Sequence, residues 1–178
     1  MVISWQEATW LQQGMLNLLC YLWKDAMGYI LHPSIQMPGK EWRVADVGAG
    51  TGLWLTKLAQ IAPKDSQLDG YDISSDQFPA ASLTPGNINF RISDAKMPPP
   101  EGLWESYDIV HVRLLATIVD NGDPSPILQH CLKLLKPGGY LQWEELDFAA
   151  IYEQKDLNET FPCIAMLAKL WATTKPSR

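Results

Sequence analysis

Val44-Ala45-Asp46-Val47-Gly48-Ala49-Gly50-Thr51-Gly52-Leu53 is the stretch that decides the fold. It reads as a strand running into three alternating glycines and then into a helix over residues 53–61. Glycine lacks a Cβ and tolerates positive φ, so such a turn lets main chain approach a ligand closely, while the helix that follows presents free N–H groups at the carboxyl edge of the sheet. The spacing selects the ligand. A dinucleotide fingerprint reads G-x-G-x-x-G, whereas here the third glycine comes one residue early and Leu53 holds its place. Asp46, two residues before the first glycine, suits an ammonium-bearing ligand better than a pyrophosphate. Both features favour an amino-acid-like nucleoside over NAD. Tyr71-Asp72 closes the next predicted strand, and Asp72 lies 20 residues beyond Gly52, where a carboxylate can accept hydrogen bonds from both ribose hydroxyls.

Outward from this unit the chain alternates strand and helix. Strands are predicted at residues 43–47, 67–72, 88–92, 107–112 and 140–144, and helices at 53–61 and 125–135, with Pro98-Pro99-Pro100 and Lys136-Pro137-Gly138-Gly139 as punctuation. This pattern predicts an α/β domain: a parallel sheet of about five strands with helices on both faces. Residues 1–38 form a separate N-terminal helical segment, serving as lid or oligomerisation element, and residues 39–178 the ligand-binding domain. Within the segment Ala8, Leu11, Met15, Leu18, Leu19, Leu22, Ala26 and Tyr29 recur at helical spacing, with Gly14 and Gly28 as possible breaks. A second stripe of Leu16, Cys20, Trp23 and Met27 needs cover beyond the segment's own core. A last amphipathic helix is expected over residues 161–171.

Composition narrows the partners. Lys+Arg number 14 against 20 Asp+Glu, a formal net charge of −6 with no basic cluster, which excludes electrostatic capture of nucleic acid as the main task. Cys20, Cys131 and Cys163 are odd in number, with neither disulfide nor zinc spacing, and are expected as reduced, buried thiols with no metal site. There is no secretory start, and the most apolar stretch, residues 15–31, is broken by Asn17, Lys24 and Asp25. The expectation is a soluble, cytoplasmic protein without a membrane partner. Eight tryptophans suit a pocket for flat organic ligands, though tryptophan also fills cores.

Asp46-Val47-Gly48-Ala49-Gly50-Thr51-Gly52 resembles the first motif of the class I methyltransferases that use S-adenosylmethionine (SAM), residue for residue, and Asp72 matches their second. The resemblance runs from about Trp42 to Asp147, through Ser93-Asp94-Ala95, Tyr107-Asp108-Ile109-Val110 and Leu135-Lys136-Pro137-Gly138-Gly139. Tyr107 to Arg113 and Gly139 to Glu145 look like fungal methyltransferase-like proteins of secondary metabolism. It implies a Rossmann-like class I methyltransferase fold with SAM as cofactor. It further implies that Asp46, Gly48, Gly50 and Gly52 face its methionine part, Asp72 its ribose, and Asp94, Ala95 and Met97 its adenine, with Ala49 and Ile73 also among the cofactor-binding residues. Asp94 has a second reading as a helix N-cap. The family's sheet ends in an antiparallel hairpin, and that C-terminal β-hairpin is missing from the predicted strands. An open edge at the fifth strand and the doubly apolar N-terminal segment then predict either a homo-oligomer or a pairing with a methyltransferase-like partner, or else a fragment of a longer methyltransferase.

His111 and Arg113 fall at the carboxyl end of the fourth strand, on one face. His111 is the candidate base or orienting group for a methyl acceptor, and Arg113 the candidate to orient the acceptor's carboxylate or carbonyl. The other reading of His111 is a strand-end histidine satisfied by a backbone carbonyl. Asp108 starts that strand, at the wrong end of the sheet for chemistry. His130 and His32 are expected in solvent. Trp143, Glu144, Glu145 and Asp147 either line the crevice mouth or form a solvated loop, and Gln12 and Gln13 either face the pocket from a lid helix or are exposed. Two functions follow: a SAM-dependent methyltransferase acting on oxygen or nitrogen of a small, largely apolar metabolite, or a methyltransferase-like subunit without transfer activity, which binds SAM or a protein partner in an assembly or regulatory role.

Overall fold

Val44, Ala45, Asp46 and Val47 are all buried, so both faces of strand β1 (Arg43–Val47) are covered, as a central parallel strand requires. A computed structural model describes residues 5–36, 39 and 41–146. Around β1 lie β2 (Gln67–Asp72), β3 (Ile88–Ile92), β4 (Tyr107–Arg113) and β5 (Leu135–Glu144), in the order β3-β2-β1-β4-β5 and all parallel. Strand order reverses between β1 and β4, which opens a crevice at their carboxyl ends. Helix α3 (Ser125–Leu134) covers one face, packing Ile127, Cys131 and Leu134 with Val110 and Val112. On the other face, α2 (Leu53–Leu58) and Cys20 of the long helix α1 (Trp5–Met27) pack Trp54, Leu55 and Leu58 with Val44, Leu68 and Ile109.

One row of register partners crosses that second face: Phe90, Gly70, Asp46, His111 and Gln142. Gly70 is glycine because a Cβ there would stand 2.5 Å from Phe90 Cδ1 and 3.0 Å from Leu55 Cδ1. The Phe90 ring fills the space its neighbour leaves. Gly70→Ala is expected to cost about 1–3 kcal/mol through overpacking, and less in a Phe90→Leu background. A double-mutant cycle in urea checks the coupling, and additive costs would show that the ring does not set the limit.

Several expectations need correction. Gly14 does not break the N-terminal segment, because a single glycine costs a helix only about 1 kcal/mol; one helix runs from Trp5 to Met27 and stops at Gly28, whose φ of 78° forms a left-handed cap. Most of the second stripe turns inward: Cys20 is buried and Leu16 and Trp23 are half-buried, though Met27 at its end is exposed, as are Leu11, Leu18 and Leu22 of the first stripe. Helix α2 ends at Leu58 rather than Ile61, and hydrogen bonds such as Gln60 N to Lys57 O and Ile61 N to Leu58 O tighten the chain ahead of Pro63. Strand β5 begins at Leu135, because Leu135 pairs with Tyr107 before a bulge that lets Tyr140 pair with Ile109.

His130 is buried rather than in solvent, and its Nδ1 lies 2.6 Å from the Met97 carbonyl oxygen. It falls in line with Ile127, Cys131 and Leu134 on the inner face of α3, and burial holds its pKa below the ordinary value. His32 is exposed. Asp108 is structural, accepting from Arg43 N at 2.8 Å and from Lys136 Nζ at 2.7 Å. Cys20 and Cys131 are free and buried, and burial pushes the Cys131 thiol up to about 12. Cys163, Asp147 and the helix expected over residues 161–171 lie outside the described residues. Among the described residues no strand follows β5, and no helix is long and apolar enough to cross a membrane. The described residues up to Glu144, α1 included, make up one compact unit.

Candidate functional site

The crevice at the strand ends holds a cavity of about 380 Å³, walled by the glycine turn, the ends of β2 and β4, the loop after β3 and helix α1. Gly48 and Gly50 adopt φ of 79° and 52°. Their turn is tied to β2 from both sides: Gly48 N and Ala49 N donate to the Tyr71 carbonyl, and Gly50 N donates to Asp72 Oδ2 at 2.8 Å. Asp72 therefore braces the turn while its carboxylate forms part of the cavity wall. Ile73 is 67% exposed beside it. Gly52 looks away from the cavity, and a Cβ there would enter the Phe90 ring.

After β3, Asp94 accepts from Lys96 N at 2.9 Å and opens a turn, not a helix, so the N-cap reading does not apply. Asp94 and Ala95 line the cavity. Met97 does not, and its side chain is 60% exposed.

Asp46 and His111 are register partners on β1 and β4, so their side chains stand on one face, with His111 Nδ1 2.7 Å from Asp46 Oδ1. The other ring nitrogen, Nε2, lies 3.3 Å from Glu144 Oε2, and the ring is stacked on Trp54 at 3.7 Å between centroids and 4° between planes. Each ring nitrogen thus faces a buried carboxylate oxygen. Gln142 completes the network: its Nε2 donates to Glu144 Oε1 and to the Ile30 carbonyl, and its Oε1 accepts from His32 N. Trp54 Nε1 also donates to Ile30 O at 3.3 Å. Burial alone would push the Glu144 carboxyl up, but the hydrogen bond and charge of His111, with Arg113, outweigh it and hold the group below its ordinary range.

Arg113 lines the cavity with its guanidinium 5.8 Å from the centre of the Trp23 ring of α1. Just past it Leu114 takes the left-handed conformation at φ 59°, uncommon for a branched residue, and this bend swings Leu115 and Ile118 onto the wall. Gly48 is kept free of a Cβ by Leu115 Cδ2, which would lie 2.7 Å from it. From above, α1 contributes Gln12, Leu16, Leu19 and Cys20 to the wall. It is latched by Thr51 Oγ1 to Asn17 Oδ1 at 2.6 Å and by Gln77 Nε2 to Gln12 Oε1 at 3.4 Å.

The structure thus brings Asp46, Gly48, Ala49, Gly50, Asp72, Ile73, Asp94, Ala95, His111 and Arg113 to one cavity and leaves out Gly52 and Met97. Trp143 packs into the core on the α3 side, not at the crevice mouth. Three contributors escaped the sequence reading. Trp54 and Gln142 act through strand register and stacking, which no local pattern encodes. Gln77 lies five residues past Asp72 in the loop that bounds the cavity, and its buried Oε1 has no hydrogen-bond partner among the described residues.

A model described as a methyltransferase domain matches residues 44–139. The chain is 41% identical over 125 residues to methyltransferase grgD of a Penicillium species, covering 66% of this chain and 43% of that protein. It is 32% identical over 140 residues to N-methyltransferase tcpN of Claviceps purpurea (strain 20.1), covering 78% and 50%. The chain thus spans about half the length of these curated relatives. Among solved structures, a SAM-dependent methyltransferase from Mesorhizobium loti shares the fold, with a TM-score of 0.51 and 20% identity over 67% of this chain and 51% of that one. Motif, sheet order and sequence relatives agree, and the chain belongs to the class I SAM-dependent methyltransferase family.

Proposed function

We propose that the cavity binds SAM and that the chain takes part in methyl transfer to oxygen or nitrogen of a small, largely apolar metabolite of secondary metabolism. The observation that carries this reading is the cavity itself: a nucleoside end built from Asp72, Asp94 and Ala95, a glycine turn in the middle, and an apolar wall of Leu16, Leu19, Leu115 and Ile118 beyond. The donor set fits the cofactor. Asp72 offers acceptor oxygens to ribose hydroxyls, and Asp94 and the unpartnered Gln77 Oε1 offer acceptors to hydroxyl or amino hydrogens. Asp46, 3% exposed at the edge of the turn, contributes negative charge beneath the methionine part. That tcpN is named an N-methyltransferase supports nitrogen as one acceptor atom.

When bound, the cofactor supplies an electrophilic methyl group. The chain's residues have to hold an acceptor in line with it and exclude water. Leu115 and Ile118 border that space, and α1 covers it. His111 acts at one remove from the acceptor: both of its nitrogens are engaged by carboxylates, so it holds Asp46 and Glu144 in place rather than touching the substrate. Calorimetric titration with S-adenosylhomocysteine and SAM tests the reading: saturable binding at one site is expected, and absence of any binding heat across several temperatures would overturn it.

The second reading, a methyltransferase-like subunit working with a second copy or a partner, is favoured by the outward face of α1. Leu11, Leu18 and Leu22 are exposed there at 62%, 47% and 37%, an apolar stripe of the kind that marks an interaction surface. Sedimentation alongside transfer of labelled methyl groups separates the readings: methyl transfer by a monomer supports the first, and SAM binding by an assembled, inactive chain supports the second.

A further inference from the structure

We propose that Arg113 receives the carboxylate of the cofactor's amino-acid tail, rather than a carboxylate or carbonyl of the methyl acceptor. The proposal rests on the reading of the cavity as the SAM site. Charge in the wall is the first observation. Its charged groups are Asp46, Asp72, Asp94, Lys96, His111 and Arg113. Lys96 Nζ is held 2.8 Å from Asp120, and His111 lies between Asp46 and Glu144. Arg113 has no ion pair among the described residues. Its guanidinium carbon lies 5.8 Å from the centre of the Trp23 ring, a cation–π contact, and the residue lines the cavity. A guanidinium carries the planar fork of donors that matches a carboxylate.

Register supplies the second observation. Val47 pairs with Tyr71 on one side and with Val112 on the other. Asp72, Gly48 and Arg113 each come one residue later, so they stand side by side along the carboxyl edge of the sheet. The two-residue period of a strand places the Asp72 and Arg113 side chains on the same face, that of α1 and α2. Two strand spacings separate them, about 10 Å. A ligand with its ribose on Asp72 and its chain passing over Gly48 carries its tail to Arg113.

The third observation explains why Arg113 is left free. Its register partner on β5 is Glu144, the natural anion for it, yet the Glu144 carboxylate turns to His111 Nε2 and Gln142 Nε2. The buried network under Trp54 thus engages the oxygens of the neighbouring carboxylate, which feels the charge of Arg113 but forms no ion pair with it, and a place is kept for an incoming one.

Calorimetry on Arg113→Gln with two ligands tests this. S-adenosylhomocysteine carries the tail, whereas 5′-methylthioadenosine keeps the nucleoside and thioether but lacks the amino-acid carboxylate. The variant is expected to bind S-adenosylhomocysteine about ten- to a hundred-fold more weakly, the size of a lost hydrogen bond to a charged group, and to bind 5′-methylthioadenosine as the parent does. That unchanged binding also reports an intact fold. Arg113→Lys should recover part of the loss. Should Arg113→Gln not fold, the unaltered protein answers the same question with the carboxamide of S-adenosylhomocysteine, expected to be weaker than the acid by a similar factor. Equal weakening of both ligands, no weakening of either, or a carboxamide that binds as tightly as the acid would overturn the assignment while leaving the cofactor site standing. A parent protein that binds neither nucleoside would overturn both.

Discussion

Asp72→Lys is expected to abolish measurable binding of S-adenosylhomocysteine. The Asp72 carboxylate sits in the cavity wall one residue past the last β1–β2 pair and already accepts Gly50 N at 2.8 Å. In the proposed complex it also takes both ribose hydroxyls. Each lost hydrogen bond to a charged acceptor costs about 1.5–3 kcal/mol, so two such losses reduce affinity on the order of a hundred- to ten-thousand-fold, before a lysine's bulk is counted. The side chain is half-buried and at the sheet edge, so the fold should survive, and thermal unfolding of the variant checks this. Asp72→Asn, which keeps the shape and one acceptor, should lie between parent and lysine variant. A folded Asp72→Lys protein that binds as tightly as the parent would show that the ribose lies elsewhere.

That Asp72 was legible in the sequence while other parts of the site were not has a physical reason. The glycine turn and the acid ending the next strand are local signals: three glycines fix a backbone shape, and two short strands flank them. The five strands were legible because parallel strands, buried on both faces, read as apolar runs between turn residues. The facing of α1 was not. Its two apolar stripes are similar in strength, and only packing of Cys20 against Trp54 and Ile109 decides which turns inward. His130 carried a readable signal, its place on the face of Ile127, Cys131 and Leu134, and that signal outweighs the polarity of the ring.

The buried network of the site is illegible for a different reason. Asp46 and His111 are 65 residues apart and His111 and Glu144 are 33 apart. They meet because β1, β4 and β5 align in one register, and a shift by one residue would send all three to the other face. A histidine at a strand end and an acid after another strand look alike in sequence, whether they form a pair or face solvent.

This network leads to the second large effect: His111→Ala is expected to destabilise the fold by about 3–5 kcal/mol, the usual cost of stranding buried charge when one member of a pair is removed. The side chains of Asp46 and Glu144 are 4% and 9% exposed, so neither carboxylate can recover its hydration. The stacking of His111 on Trp54 is lost as well. Against a typical total of about 5–15 kcal/mol this is a large fraction. The pH dependence distinguishes stranded charge from a mere cavity. In the parent, Glu144 is held below its ordinary value of 4.5 in the folded state. Its contribution to stability is therefore fully present above that value and fades as pH falls through the lowered folded value. The variant lacks the histidine that lowers it, and its stranded Glu144 carboxylate is relieved by protonation. The stability gap between parent and variant should be widest near neutrality and narrow on acidification. A cavity left by the ring would cost the same at every pH. Urea unfolding of both proteins across the acid range measures the gap. A variant as stable as the parent, or a gap that does not change with pH, would refute the view that two buried carboxylates depend on this one ring.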